Sequence, residues 1–369
     1  MKILITGAKG FVGKNLIAEL RNRQYNDIFE FDIDTKTELL DDYCKQADFV
    51  YHLAGVNRPK EQSEFMEGNF GFTSVLLETL KKYKNTCPVM LSSSIQAILD
   101  NTYGESKKAG EQLLFDYAKE TGSKVLVYRF PNVFGKWCKP NYNSAVATFC
   151  YNIANNTEIV VNDPNVEMNL IYIDDLVNEL VNAIEGNENK QAEFCEVMPV
   201  HQVALGEIVD LIYSFKKSRN ELTVPDMKNS FAKKLYSTYL SYLPTTDFSY
   251  PLKMHKDDRG SFTEFIKTPD RGQVSVNISK PGITKGNHWH HTKNEKFLVV
   301  SGNGVIRFRN IDSDEVIEYF ISGEKLEVVD IPIGYTHNIE NLGDTDMVTV
   351  MWVNEVFDPE KPDTYFVEV

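Results

Sequence analysis

The sequence has no uninterrupted apolar run of the roughly 18 residues that a membrane-spanning helix requires. Its N-terminus, MKILITG, runs straight into a strand-like segment, without the basic, apolar and small-residue succession that directs secretion. Cysteine is scarce: Cys44, Cys87, Cys138, Cys150 and Cys195 are odd in number, scattered, and never spaced as Cys-x-x-Cys. This argues against a disulfide framework and fits buried thiols in a reducing compartment, so the expected location is the cytoplasm. Basic residues are also few, 39 Lys and Arg against 53 Asp and Glu, and a net charge of -14 repels a phosphate backbone instead of releasing its counterions. General nucleic-acid binding is disfavoured. No internal repeat is present.

What is present suffices for sizeable cores, with 42% hydrophobic and 12% aromatic residues. At roughly 150 residues per domain, 369 residues correspond to about 2.5 domains, and two is the simplest organisation. Up to about Leu243, short apolar runs alternate with helical stretches: KILIT then GKNLIAELRN, IFEFD then a loop, FVYHLA then GFTSVLLETLKKY. PVMLSSS, KVLVYRF and EIVV continue the series, separated by KKAGEQLLFDYAKETG, which Gly122 stops, and by AVATFCYNIANN. The alternation predicts an α/β Rossmann-like, doubly wound parallel sheet over residues 1–243. LPTTDFSYP then turns to Pro, Thr and Ser. Beyond it, QVSVNI, KFLVV, GVIRFRN, VIEYFI, LEVVDI and MVTVMWV are short, closely spaced strands with almost no helical pattern, predicting an all-β jelly roll over residues 244–369.

In the first half, strand KILIT leads into Gly7, Gly10 and Gly13 and then an amphipathic helix. These glycines let backbone N–H groups and the helix N-terminus approach a pyrophosphate. Asp32 closes the second strand 19 residues beyond Gly13, where a carboxylate can hold ribose hydroxyls or serve as a solvated turn residue. Tyr103 and Lys107 lie one helical turn apart, and a nearby ammonium lowers a phenol's pKa, suiting Tyr103 to protonate a carbonyl oxygen as hydride arrives. The preceding strand ends in Ser92, Ser93 and Ser94, any of which can hold the same carbonyl.

TGAKGFVG, YHLAG, SSS before YGESK, RFPNVFG and YIDDLV occur here in the order of the extended short-chain dehydrogenase/reductase family, which residues 1–243 resemble. The resemblance implies Tyr103 as acid, Lys107 bridging Tyr103 and the nicotinamide ribose, and Ser94 as carbonyl-orienting hydroxyl, with Ser93 as its rival. Cofactor contacts would come from Gly7, Lys9, Gly10, Phe11, Val12, Gly13, Asp32, Lys36 and Ala54, and substrate contacts from Arg58 and Asn132. Asp32 favours NAD, whereas Lys9 and Lys36 can reach a 2′-phosphate; the expectation is NADPH.

Three of the seven histidines fall within GNHWHHTKNEKF. His288 and His290, two apart on a strand, share a face, Glu295 opens the next run, and His337 in IPIGYTHNIEN offers a fourth donor. Three imidazoles and a carboxylate suit Zn²⁺, or Fe, Mn or Ni. His291 alternates to the other face. Gly282, His288, His290, Glu295 and Gly302 reproduce the spacing of the first cupin motif, and Pro332, Gly334, His337 and Asn341 most of the second, with Leu326 where its opening glycine belongs. Residues 248–369 therefore resemble a cupin. Within cupins, DDRGSFTEF and NEKFLVVSGN resemble segments of nucleotide-sugar 3,5-epimerases of the deoxyrhamnose pathway. That resemblance implies nucleotide or phosphate contacts from Arg259 and Glu264 and enolate stabilisation by Lys296. It also implies that His288 is the base, a role that competes with metal ligation.

An extended reductase followed by a cupin resembles the bifunctional capsular polysaccharide enzymes of the UDP-N-acetyl-L-fucosamine pathway. The implied substrate is a UDP-linked 4-keto-6-deoxy-N-acetylhexosamine, epimerised at carbon 3 by the cupin and reduced at carbon 4 with NADPH by a homodimeric protein. Two alternatives stand beside it: a monofunctional reductase whose cupin metal is structural, and a cupin that senses ligand and regulates its partner domain.

Overall fold

The computed structural model describes residues 1–369, which divide into two compact units, Met1–Tyr213 with Met227–Pro244 and Ser214–Asp226 with Thr245–Val369. The helical segment 214–226 thus joins the second unit instead of the first. There Leu222 O accepts from Lys267 N at 2.7 Å, and the Arg219 guanidinium lies 4.5 Å from the Tyr250 ring centre.

The strands of the first unit are β1 (Ile3–Thr6), β2 (Ile28–Phe31), β3 (Phe49–His52), β4 (Val89–Ser94), β5 (Val125–Phe130), β6 (Asn132–Phe134), β7 (Glu167–Tyr172), β8 (Lys190–Gln191), β9 (Phe194–Cys195) and β10 (His201–Ala204). Seven form one sheet in the order β2-β1-β3-β4-β5-β9-β8, parallel except for β8, while β10, β7 and β6 form a smaller sheet. Apolar clusters cover both faces of the large sheet, one containing Ile3, Ile5 and Tyr51 and the other Leu4, Val50 and Leu91, as continuous apolar strand runs require. The strand order reverses direction between β1 and β3, so a crevice opens beyond their C-terminal ends, where α/β sheets bind ligands.

Two local expectations fail. The segment after β2 is a loop only as far as Thr37 and then forms helix Glu38–Gln46, which buries just Leu40 and Cys44, one turn apart, and so carries a weak apolar signal. EIVV forms no strand and leaves Val160 81% exposed; the place beside β5 in the large sheet is taken by the two-residue strand β9. Helix Thr102–Thr121 ends as expected at Gly122, left-handed at φ +73°.

The second unit contains β11 (Met254–Asp257), β12 (Gly260–Thr268), β13 (Gly272–Ser279), β14 (Thr284–Trp289), β15 (Glu295–Ser301), β16 (Asn303–Asn310), β17 (Val316–Ser322), β18 (Val328–Ile331), β19 (Tyr335–Asn341), β20 (Met347–Val353) and β21 (Tyr365–Phe366). They pair antiparallel in a six-stranded sheet, β11-β12-β13-β20-β15-β18, and a five-stranded sheet, β17-β16-β19-β14-β21. Phe297 and Val299 of one sheet pack with Ile306, Phe308 and Ile339 of the other, giving the jelly-roll core.

Candidate functional sites

The turn after β1 is left-handed at Gly7 (φ +69°), and a Cβ there would come within 2.7 Å of Ala54 N, so glycine is what lets this turn close against the end of β3. Helix Phe11–Asn22 follows with no side-chain cap and no acid in its first turn, leaving its amides and positive dipole end for an anion. Phe11 and Val12 pack onto the core and fix that end. Asp32 is bound to the loop, with Oδ2 accepting from Lys9 N at 2.7 Å and Oδ1 from Ile33 N at 2.8 Å. The Lys9 ammonium pairs with Asp34, and Lys36 is exposed. This donor set and crevice fit a dinucleotide.

At the end of β4 the serines divide their work. Ser93 Oγ donates to Glu111 Oε1 at 2.6 Å, and Arg129 clamps the same carboxylate through Nε at 2.8 Å and Nη2 at 2.6 Å. Ser93 is thereby held in a buried structural network. Ser94 accepts from Gln96 N at 3.1 Å, and its hydroxyl is close enough to the Tyr103 phenol to act on its pKa. The ammonium effect expected on Tyr103 is not what the structure displays. Burial raises the phenol's pKa and Ser94 opposes the rise, while Lys107 Nζ lies 5.9 Å from the ring centre and donates to Ser92 O at 3.2 Å. Burial also pushes the Lys107 ammonium down to about 8, partly offset by Glu111.

Sequence reasoning missed Asn69. It lies in a π-helical turn, Met66–Gly71, a distortion common at functional sites. Its side chain bonds both Val56 N and Val56 O at 2.9 Å and reaches Ser106 Oγ at 3.0 Å, fixing the loop against which Lys107 packs. A Cβ on Gly55 would lie 2.7 Å from Asn69 Oδ1 and 3.0 Å from Lys107 Nζ, so Gly55 admits both groups. No motif or period marks Asn69 in the sequence. Arg58, exposed, donates to Tyr142 O, and Asn132 is exposed at the start of β6.

In the second unit, His288, His290, Glu295 and His337 bring one donor atom each to within 4.8 Å of one another. Glu295 Oε2 lies 3.6 Å from His290 Nε2 and 3.3 Å from His337 Nε2, and none of these three buried atoms has a directed hydrogen-bond partner. Such orphaned donors fit a divalent ion held by three imidazoles and a carboxylate. Burial opposes ionisation of Glu295, but the flanking His290 and His337 outweigh it and hold its carboxyl at about 2. Burial, and then His337, depress His288 to about 4, leaving it neutral and able to ligate. His290 Nδ1 meets Asp363 O at 2.6 Å, which directs Nε2 inward. His291 is exposed, outside the cluster.

Arg259 lines the adjoining cavity of about 370 Å³ and is paired with Asp257. Two of the expected residues do not line this cavity. Lys296 alternates with Glu295 along β15, is exposed, and pairs with Asp330 on the face away from the cavity. Glu264 is paired with Lys267 at 2.8 Å and does not line the cavity; the register shift between Glu264 and Ile266 is what brings Lys267, three residues on, to its side of the strand.

Residues 3–195 match the NAD dependent epimerase/dehydratase family. The chain belongs to that family. Residues 255–365 match the polysaccharide biosynthesis C-terminal domain, so the epimerase/dehydratase fold here continues into a second recognised domain. A UDP-2-acetamido-2,6-beta-L-arabino-hexul-4-ose reductase from Pseudomonas aeruginosa is 44% identical over 365 residues, 99% of this chain and 98% of that one. The crystal structure of the capsular polysaccharide assembling protein CapF from Staphylococcus aureus superposes with a TM-score of 0.96 at 65% identity, covering 100% of both chains. A second CapF structure, with the inhibitor 3-isopropenyl-tropolone, gives 0.91 at 61% identity, again covering 100% of both.

Proposed function

We propose that this epimerase/dehydratase family member is a bifunctional nucleotide-sugar enzyme. Its jelly roll inverts carbon 3 of a UDP-2-acetamido-2,6-dideoxy-4-hexulose, and its α/β unit reduces the carbon 4 ketone with NADPH, giving UDP-2-acetamido-2,6-dideoxy-L-talose for capsule or O-antigen synthesis. One observation carries the reading: each unit holds its own chemical centre, Ser94, Tyr103 and Lys107 in one and the His288, His290, Glu295 and His337 cluster beside a cavity in the other. The reductase from Pseudomonas aeruginosa and CapF, both matched over nearly their whole length, support it.

The nicotinamide, when bound, supplies a hydride. Ser94 orients the ketone oxygen and Tyr103 gives it the proton that completes the alcohol. Lys107 carries a positive charge beside them and holds the end of β4 through Ser92 O. In the jelly roll, a metal bound by the four-residue cluster, which we read as zinc, supplies a fixed positive charge to the cavity, and Arg259 at its wall suits a phosphate. The NADPH preference rests on Lys9 and Lys36; Lys9→Ala should narrow the difference in KM between NADPH and NADH. We place the protein in the cytoplasm as a homodimer, supported by the outer strand β17, where Tyr319 and Phe320 are 51% and 68% exposed.

The outward position of Lys296 favours a second reading, in which the jelly roll's metal is structural and the α/β unit acts alone. NMR of the product formed with NADPH separates the two: carbon 3 is inverted under the first reading and retained under the second.

A further inference from the structure

Lys285 faces the same cavity as the metal cluster, and a β-bulge puts it there. Gly286 pairs with Asn338 and His288 with His337, so the register of β14 on β19 slips by one residue, with Asn287 as the extra residue at φ +58°. In an uninterrupted strand, side chains three apart point to opposite faces; the inserted residue returns Lys285 to the face of His288. Both line the cavity of about 370 Å³.

The Lys285 ammonium is anchored by neutral groups. Nζ donates to Asn277 Oδ1 and to Ile278 O, each at 2.8 Å, which uses two of its three N–H bonds. The carboxylate lining the cavity nearest in charge, Asp257, is taken by Arg259 through Nε at 2.9 Å and Nη2 at 2.6 Å. Lys285 therefore has no ion pair of its own and keeps one donor uncommitted, while Lys296 spends its charge on Asp330 outside.

We infer that Lys285 is a catalytic residue of the jelly-roll unit, donating its remaining N–H to the carbon 4 carbonyl oxygen of the keto-sugar. This rests on the epimerase reading above. When the carbon 3–hydrogen bond breaks, the proton passes to a solvent-exchanging base and the electron pair enters the carbon 3–carbon 4 bond. The carbonyl oxygen then takes the negative charge, opposite the ammonium. Reprotonation on the other face restores the ketone with carbon 3 inverted, and Lys285 neither gains nor loses a proton.

The test is exchange of the carbon 3 hydrogen in heavy water, followed by NMR on the full chain with UDP-2-acetamido-2,6-dideoxy-4-hexulose and no reduced nicotinamide, with bound metal measured on the same sample. Lys285→Met should slow exchange by about 100-fold, the usual effect of losing one preorganised donor to an oxyanion, while retaining the metal. Lys285→Arg, which keeps cation and donors, should recover part of the rate. Exchange in Lys285→Met within about threefold of the unmodified protein overturns the assignment, as does Lys285→Arg being as slow as Lys285→Met, which would mark a packing role. If the unmodified protein itself shows no exchange, the epimerase reading fails instead.

Discussion

Glu295 Oε2 and His337 Nε2 lie 3.3 Å apart although Glu295 belongs to the six-stranded sheet and His337 to the five-stranded one. With His288 and His290, they make the donor cluster a junction between the two layers of the jelly roll, and an ion there fastens the layers together.

Chelation should therefore destabilise the second unit. An ion present at 1,000 times its dissociation constant contributes about 4 kcal/mol by mass action. Dialysis against a strong chelator is expected to lower the melting transition of this unit, and Zn²⁺ to restore it. Glu295→Gln should mimic chelation and no longer respond to added metal. An unchanged melting curve in both cases would remove the metal from the account.

Asp363 supports the cluster from behind. Its carboxylate accepts from Thr292 N and Lys293 N at 2.9 Å and from His291 N at 3.1 Å, and its carbonyl meets His290 Nδ1. Burial opposes its ionisation, but these amides outweigh it and hold the carboxyl well below the usual range. Asp363→Ala should weaken metal affinity by about 10-fold, the lower end of outer-layer effects, as read by competition with a chromogenic chelator.

Tyr103→Phe should reduce NADPH oxidation by about 100-fold or more, the scale of losing a general acid, while leaving carbon 3 exchange at its original rate. Loss of both activities together would contradict the division of labour between the units.

Lys107 trades stability for function. Its folded pKa, about 8, lies below the ordinary 10.5, so between these values the unfolded chain binds more protons and stability rises with pH. Below about 8 the burial cost of the ammonium is present in full. Lys107→Met should therefore melt higher at pH 7 while losing reductase activity, and its stability advantage should shrink as pH climbs from about 8 toward 10.5.

The two adjacent serines should respond differently. Ser94→Ala should slow reduction with little change in melting. Ser93→Ala leaves the buried Glu111 short of a donor and should cost about 1–3 kcal/mol of stability, measured by denaturant unfolding.

Much of this was legible in the sequence because the relevant spacings are local. Tyr103 and Lys107 sit on one helix whose period places them together, and the glycine turn and the pair His288 and His290, at and just past the end of β14, each lie within a few residues of chain. Asn69 was not legible, since its role comes from a π-helical turn that no residue pattern announces. The two lysines of the jelly roll illustrate the same limit. Strand period alone puts Lys285 out of phase with His288, and only the bulge at Asn287 reverses that; motif position alone puts Lys296 in the site, and only its alternation with Glu295 takes it out. EIVV was read as a strand from apolarity, a property that cannot say whether a neighbouring strand is free to pair.

The central claim is that one chain inverts carbon 3 and then reduces carbon 4. Incubation of the full-length protein with NADPH and UDP-2-acetamido-2,6-dideoxy-4-hexulose in heavy water, with NMR of the product, tests it most directly. The account predicts an alcohol at carbon 4, inverted configuration at carbon 3, and deuterium at carbon 3. A product reduced at carbon 4 with its original carbon 3 configuration and hydrogen would contradict it.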